Sequence, residues 1–229
     1  MATLVVYAKA SDGYINSSHS DYAIARAGGS LGYDSSGAYV ICGQRNSSAV
    51  FYCYEAFFQY DTSSLFDTAI VTAAKEELYL YSDLTTTDYT EEVRTFDWGD
   101  TLTTADWVAG ANLGNYTLLS SKAVSPSAGY NEFPTSANFI AAINTTGDTR
   151  LFHSSDRHRL GNEPTEDGDE YIMWYSTDQT GTDNDLKLTI DYTIGGGSIS
   201  TVNISSIGGG YEALYGGSNS TVNISAIGG

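Results

Sequence analysis

Apolar residues in this chain recur at every second position or in short unbroken runs, and seldom at the three-to-four spacing of an amphipathic helix. Leu186-Lys187-Leu188-Thr189-Ile190-Asp191-Tyr192 alternates cleanly, and Glu77-Leu78-Tyr79-Leu80-Tyr81 sets two leucines on one face and two tyrosines on the other. Period-two patterning marks a strand with one buried face. Such runs, broken by Gly, Ser, Thr, Asn and Asp, predict strands at 3–8, 22–27, 38–43, 50–60, 77–82, 91–97, 115–120, 130–133, 149–153, 170–176 and 186–193. Many short strands of this kind read as an antiparallel sandwich or barrel. The stretch from Tyr52 to Tyr60 has few breaks and predicts a central strand. One helix is expected over 136–143, capped by Ser136 after Pro134, with a further helical turn at 104–107.

Charge narrows the classes of function. The 229 residues carry 28 Asp plus Glu against 10 Lys plus Arg, a formal charge of −18. A protein that binds nucleic acid by neutralising phosphates needs the opposite sign. No apolar run is long enough for a membrane span, and Met1 to Tyr7 lacks the basic start and apolar stretch of a signal peptide. A hydrophobic fraction of 41% is too high for a disordered acidic tail. A soluble, acidic, folded protein is expected, with no nucleic-acid or membrane partner. Cys42 and Cys53 stand eleven positions apart, compatible either with free thiols or with a disulfide between neighbouring strands.

The composition changes after Thr193. Ile194-Gly195-Gly196-Gly197 is a break, and beyond it 198–209 and 218–229 are identical at ten of twelve positions. Each copy holds an uncharged apolar set, Val202, Ile204 and Ile207 in the first and Val222, Ile224 and Ile227 in the second. One copy cannot bury that set alone. Two domains are therefore expected: a β body at 1–193 and a Gly-rich β repeat segment at 194–229 that docks or oligomerises. From Ile194 onward there is one acid, Glu212, and no base, so the charge belongs to the body and, by expectation, to its exposed loops.

The order of landmarks resembles the DNRLRE-type carbohydrate-binding-module-like domain. Its opening segment is matched by Ala10-Ser11-Asp12-Gly13-Tyr14-Ile15, and its long strand and turn by Phe57-Phe58-Gln59-Tyr60-Asp61-Thr62-Ser63-Ser64-Leu65. Ala69-Ile70-Val71-Thr72-Ala73-Ala74-Lys75-Glu76-Glu77-Leu78-Tyr79-Leu80-Tyr81, a middle with Trp98 and Trp107, and the closing Lys187-Leu188-Thr189-Ile190-Asp191-Tyr192 complete the set. Tyr60-Asp61 departs from the family's Phe-Asp, and 73–77 is unusually charged for a buried strand. The resemblance spans about 1–193 and implies an all-β, antiparallel jelly-roll β-sandwich. Members occur in secreted surface proteins and in phage virions.

Candidate sites follow from residue chemistry. Trp98, Trp107, Tyr116, Tyr130 and Trp174 are candidate sugar contacts, because aromatic planes pack on the C–H faces of sugar rings. The segment 150–159 holds three of the six arginines, and Arg157 there is a candidate donor to glycan hydroxyls or carboxylates. The loop 163–170 carries five carboxylates in eight residues, and 178–185 carries three more. Calcium prefers such hard oxygens, which makes Glu163, Asp167, Asp169 and Asp12 candidate ligands, although the spacing is not that of an EF-hand. No nucleophile motif occurs. The expectation is a non-enzymatic structural protein of a tailed-phage virion that needs no cofactor. Its repeat would associate with further copies or other virion proteins, and its body would meet host surface glycans. The alternative is a secreted or cell-surface carbohydrate-binding module.

Overall fold

In the computed structural model, which describes residues 1–178 and 183–194, the architecture grows from one long strand. The twelve residues of β5 (Val50–Asp61) are buried on both faces over most of their length. Their first half pairs with β4 (Tyr39–Ser47), Ser47 opposite Val50 through Gly43 opposite Tyr54. Their second half pairs with β10 (Asp148–Ser155), His153 opposite Ala56 through Asp148 opposite Asp61. The sheet therefore divides along β5, while β2 (Gly13–His19) lines residues from both halves. A two-residue turn at Ser48 and Ala49, both with positive φ, joins β4 to β5 with the twist a tight hairpin requires.

The remaining strands are β1 (Ala2–Tyr7), β3 (Ser30–Asp34), β6 (Ala69–Asp83), β7 (Thr90–Thr95), β8 (Leu118–Ala123), β9 (Tyr130–Phe133), β11 (Asp169–Tyr175) and β12 (Lys187–Ile194). All twelve form one antiparallel, curled sheet, a half-barrel with order β1-β12-β6-β11-β4-β5-β10-β7-β8; β2 adds beside β5, β3 beside β2, and β9 beside β6. An isolated bridge between Ala8 and Tyr60 brings the end of β1 to the end of β5 and marks the curl. Inside it lies the main core, where Cys42, Leu78, Ile172, Leu188 and Ile190 share one cluster with Phe58, Val93, Leu119 and Leu151. Outside β5, Phe57 and Ile15 meet Phe152, Trp98, Leu102, Val108 and Leu113 in a second cluster, roofed by the chain between β7 and β8. Two clusters on opposite sides explain why β5 shows no alternation.

Among the described residues three short α-helices accompany the sheet. At α1 (Tyr22–Ala27), where a strand is expected, Asp21 caps the amides of Ala23 and Ile24 and Gly28 ends the helix in the left-handed region. Burial of Tyr22 and Ala25, three apart, replaces the alternation read from six residues. The expected helix forms as α2 (Ala137–Ala142), capped by Ser136. α3 (Asp156–Leu160) follows β10 directly, with Ser155 as cap. The turn at 104–107 is a 3-10 turn over Thr104–Asp106, closed by a Thr103–Asp106 capping box. β2 and β3 were not foreseen. Cys42 and Cys53 are buried free thiols. The repeat segment, with Val202, Ile204, Ile207, Val222, Ile224 and Ile227, lies outside the described residues.

Gly43 lies where β4 parts from β5. Its φ is +128°, and a Cβ there would stand 2.2 Å from the Glu170 carbonyl oxygen and 2.6 Å from Tyr171 Cα. Backbone strain and overpacking act together at such a site, so Gly43→Ala is expected to cost about 2–4 kcal/mol. Urea unfolding of the two proteins measures it; a change within about 0.5 kcal/mol, as for an ordinary surface substitution, would refute the constraint.

Candidate functional site

Two places gather functional chemistry: a polar array sealed inside the curl, and a tyrosine-paved face outside it. At the centre of the array, His153 on β10 is fully buried between two carboxylates. Its Nε2 lies 2.7 Å from Glu76 Oε2 on β6, and its Nδ1 lies 2.8 Å from Glu91 Oε1 on β7. The other oxygen of Glu76 accepts the Tyr60 hydroxyl at 2.7 Å, and Glu91 accepts the Trp174 indole N–H at 3.1 Å. Phe58 and Phe133 stand edge-on to the imidazole, with centroids at 4.9 and 5.0 Å. Burial disfavours the imidazolium, but Glu76 and Glu91 outweigh it and raise the pKa to about 9.

These groups are of the kind that move protons, but none faces open solvent. A cavity of about 10 Å3 borders Glu91 and Trp174, enough for one water and no substrate. The array is a clasp. It ties β6 to β7 through His153, and β11 to β7 through Trp174.

Another buried histidine, five residues along, behaves in the opposite way. His158 Nδ1 lies 3.8 Å from Glu55 Oε1, beyond hydrogen-bond range, and both ring nitrogens lack partners. Burial lowers its pKa to about 3 and pushes that of Glu55 well up. His158 is thus a neutral packing residue, in contact with Trp107 at 5.5 Å.

The open site is the outer surface of the β5–β4–β11–β6–β9 region. Gly43 is the ladder partner of both Tyr54 and Tyr171, and across it their rings approach to 5.7 Å. Tyr14 and Tyr52 join Tyr54 at 6.1 and 6.3 Å. Tyr39 meets Tyr81 at 5.1 Å, Tyr81 meets Tyr175 at 5.1 Å, and Tyr175 meets Tyr79 at 5.6 Å. Tyr79 reaches Tyr130 at 4.9 Å, and the Lys187 ammonium lies 4.0 Å over the Tyr130 ring. Ile41 and Met173 fill the ground between the two groups. Tyr54 and Tyr171 are buried, Tyr14, Tyr39, Tyr52, Tyr79, Tyr130 and Tyr175 are half-buried, and Tyr81 is 44% exposed.

Among the expected sugar contacts, Tyr130 alone belongs to this face. Trp98 and Trp174 are buried core side chains, 6% and 2% exposed, and present no plane to a ligand. Trp107 and Tyr116 are half-buried against the outer cluster. Arg157 is committed to buried Glu170, Nε to Oε2 at 2.7 Å. The expected calcium ligands are dispersed in their bonding. Asp12 is buried and accepts the Thr177 amide at 3.0 Å, and burial raises its pKa to about 7. Asp167 accepts the Ser48 amide at 3.2 Å, Asp169 lies in β11, and Glu163 is exposed. Among the described residues no three Asp, Glu, His or Cys side chains gather to hold a metal. Tyr14, Tyr39, Tyr52, Tyr54, Tyr79, Tyr81, Tyr171 and Tyr175 are not among the expected contacts. The available signal was the pair of Tyr-x-Tyr steps at 52–54 and 79–81, which put tyrosines on one strand face.

No protein-family model matches the chain, and no curated protein matches its sequence.

His153 titrates at about 9 in the folded chain against an ordinary 6.5, so the clasp stabilises fully below pH 6.5 and loses that contribution as pH rises through 9. Melting temperature is expected to fall across that interval. His153→Leu is expected to cost about 3–5 kcal/mol at neutral pH, since two buried carboxylates lose their counter-charge, and to flatten the alkaline decline. An alkaline decline of equal size in both proteins would exclude His153 as its source.

Proposed function

We propose that the chain is a non-enzymatic structural protein of a tailed-phage virion, whose body presents a glycan-binding face and whose repeat segment associates with further copies or other virion proteins. The observation that carries the glycan part is the tyrosine face. Nine tyrosines from β2, β4, β5, β6, β9 and β11 touch in two groups along one sheet surface. Tyrosine suits sugar recognition because its ring packs on C–H faces while its hydroxyl exchanges hydrogen bonds at the rim. The non-enzymatic part is supported by the sealing of the His153 array from any substrate.

Placement in a virion rests on the sequence resemblance to DNRLRE-type domains and on the duplicated Val/Ile segment beyond the body. The body is, in this reading, a jelly-roll sandwich. A sheet that divides along β5 and curls round one core is compatible with a jelly-roll sandwich. Such a protein needs no cofactor. The alternative, a secreted or cell-surface carbohydrate-binding module, would use the same face and differs in the work given to the repeat.

Both parts are testable. On a glycan panel, binding is expected, and Tyr81→Ala or Tyr52→Ala is expected to weaken it about threefold to tenfold, the scale of one lost aromatic contact, with little change in melting temperature. Absence of binding to every glycan would remove the glycan part. Deleting 195–229 is expected to leave the melting of the body unchanged and to abolish oligomers or particle incorporation. If assembly survives the deletion, the repeat has another role and the module alternative stands.

A further inference from the structure

The tyrosine face contains one cation whose placement is unlike that of the chain's other arginines. Arg94 and Arg159 pair with Glu92, Arg150 with Asp97 and Asp100, and Arg157 with Glu170. Arg26 donates to the backbone carbonyls of His158 and Arg159. Arg45, among the described residues, makes no ion pair, although the chain has 28 acids. Its guanidinium carbon lies 4.8 Å from the Tyr52 ring centroid and 5.8 Å from that of Tyr171. Its Nε is buried without a hydrogen-bond partner. Asp169, its ladder partner on β11, forms no ion pair with it. A stacked guanidinium keeps its in-plane N–H donors pointing past the ring edges, where a planar anion can be met side-on.

We infer that this face takes an acidic saccharide, with Arg45 receiving the carboxylate of a uronic or sialic acid residue beside the half-buried Tyr52 ring, which buried Tyr54 supports. This rests on the glycan reading above and adds the ligand class. Neutral sugars would use the rings and leave the guanidinium in water. A carboxylate gains a charge-assisted pair at a place partly walled from solvent by two aromatic rings. The overall charge of −18 sets a further condition. At a distance the protein repels polyanions, so a densely sulfated chain is disfavoured and an isolated carboxylate is suited. The attraction is short-range, and selection shows in equilibrium affinity rather than in fast association.

The test compares matched ligands on the full chain by calorimetry or NMR titration: an oligosaccharide with a single galacturonate residue against its methyl ester, and sialyllactose against lactose. The acid is expected to bind about tenfold tighter or more than its neutral counterpart in at least one pair, the scale of one charge-assisted hydrogen bond. Which pair shows it identifies a uronic or a sialic source. Arg45→Gln is expected to bring that ratio close to one while preserving neutral binding, and Arg45→Lys to restore part of it. Equal binding of acid and neutral forms by the unaltered chain overturns the inference and leaves the glycan reading standing; this comparison holds even if the variants do not fold. Absence of binding by all four ligands and by the wider panel removes both. Loss of neutral and acidic binding together in a folded Arg45→Gln makes Arg45 a support of the tyrosine stack and also overturns the assignment.

Discussion

Everything inside the curl depends on His153 standing between Glu76 and Glu91. Two carboxylates in a water-free core each carry a desolvation cost of several kcal/mol, and neither is tolerable alone. The imidazolium offsets both at once, while Tyr60 donates to the other oxygen of Glu76 and Trp174 donates across both oxygens of Glu91. The geometry of this compensation is long-range. Glu76 is on β6 and Glu91 on β7, two strands far apart in sheet order, and they meet at one ring only when the sheet has curled. An apolar core of equal volume would hold the curl with less specificity about register. The polar array is satisfied in one arrangement, so it selects that arrangement over slipped alternatives.

The two sides of the sheet are treated differently, and this positions the site. Behind β5 and β10, the segment between β7 and β8 folds over the sheet and buries Phe57, Phe152 and Trp98. Beyond Gly43, no segment of the described residues covers β4 and β11, and tyrosine replaces phenylalanine. The exchange follows from wetting: a ring that is half-covered by its neighbours and half in water is best served by a hydroxyl at its tip. Gly43 joins the two regions. Without a side chain it lets β11 approach closely and lets Tyr54 meet Tyr171 across the ladder.

Much of the fold was legible where a pattern was local and repeated. The strands at β5, β9, β10, β11 and β12, and the helix after Ser136, follow from alternation and capping alone. α1 was misread because six residues fit either period, and the deciding signals were Asp21 before it and Gly28 after it. β2 was missed because Ser17, fully buried, breaks the apolar pattern of its inner positions. His153 was visible as a residue but not as a clasp, since its partners lie 62 and 77 positions away. From residue type alone the tryptophans fit either sugar contact or core packing. Burial, which sequence does not report for a single ring, assigns Trp98 and Trp174 to the cores.

The distribution of charge also differs from the composition in an instructive way. The acids do not belong to exposed loops alone: Asp12, Glu55, Glu76, Glu91, Glu92 and Glu170 are all buried. Buried carboxylates need counter-charge, and the chain draws on its few cations for it, His153 for Glu76 and Glu91, Arg94 and Arg159 for Glu92, and Arg157 for Glu170. Among the described residues seven acids but only one Arg or Lys, Arg94, are buried, so the surface is less acidic than the composition implies, though still strongly negative. Against that background a guanidinium left unpaired on the open face is an exception with a cost, because Arg45 could have been satisfied by any of many acids. Its retention between two tyrosine rings makes it the one point of positive potential on the aromatic surface of β5, β4 and β11. A ligand that approaches the β5–β4–β11 part of this face therefore meets tyrosine rings with one guanidinium among them, which is the condition for reading the position of a carboxylate along a sugar chain.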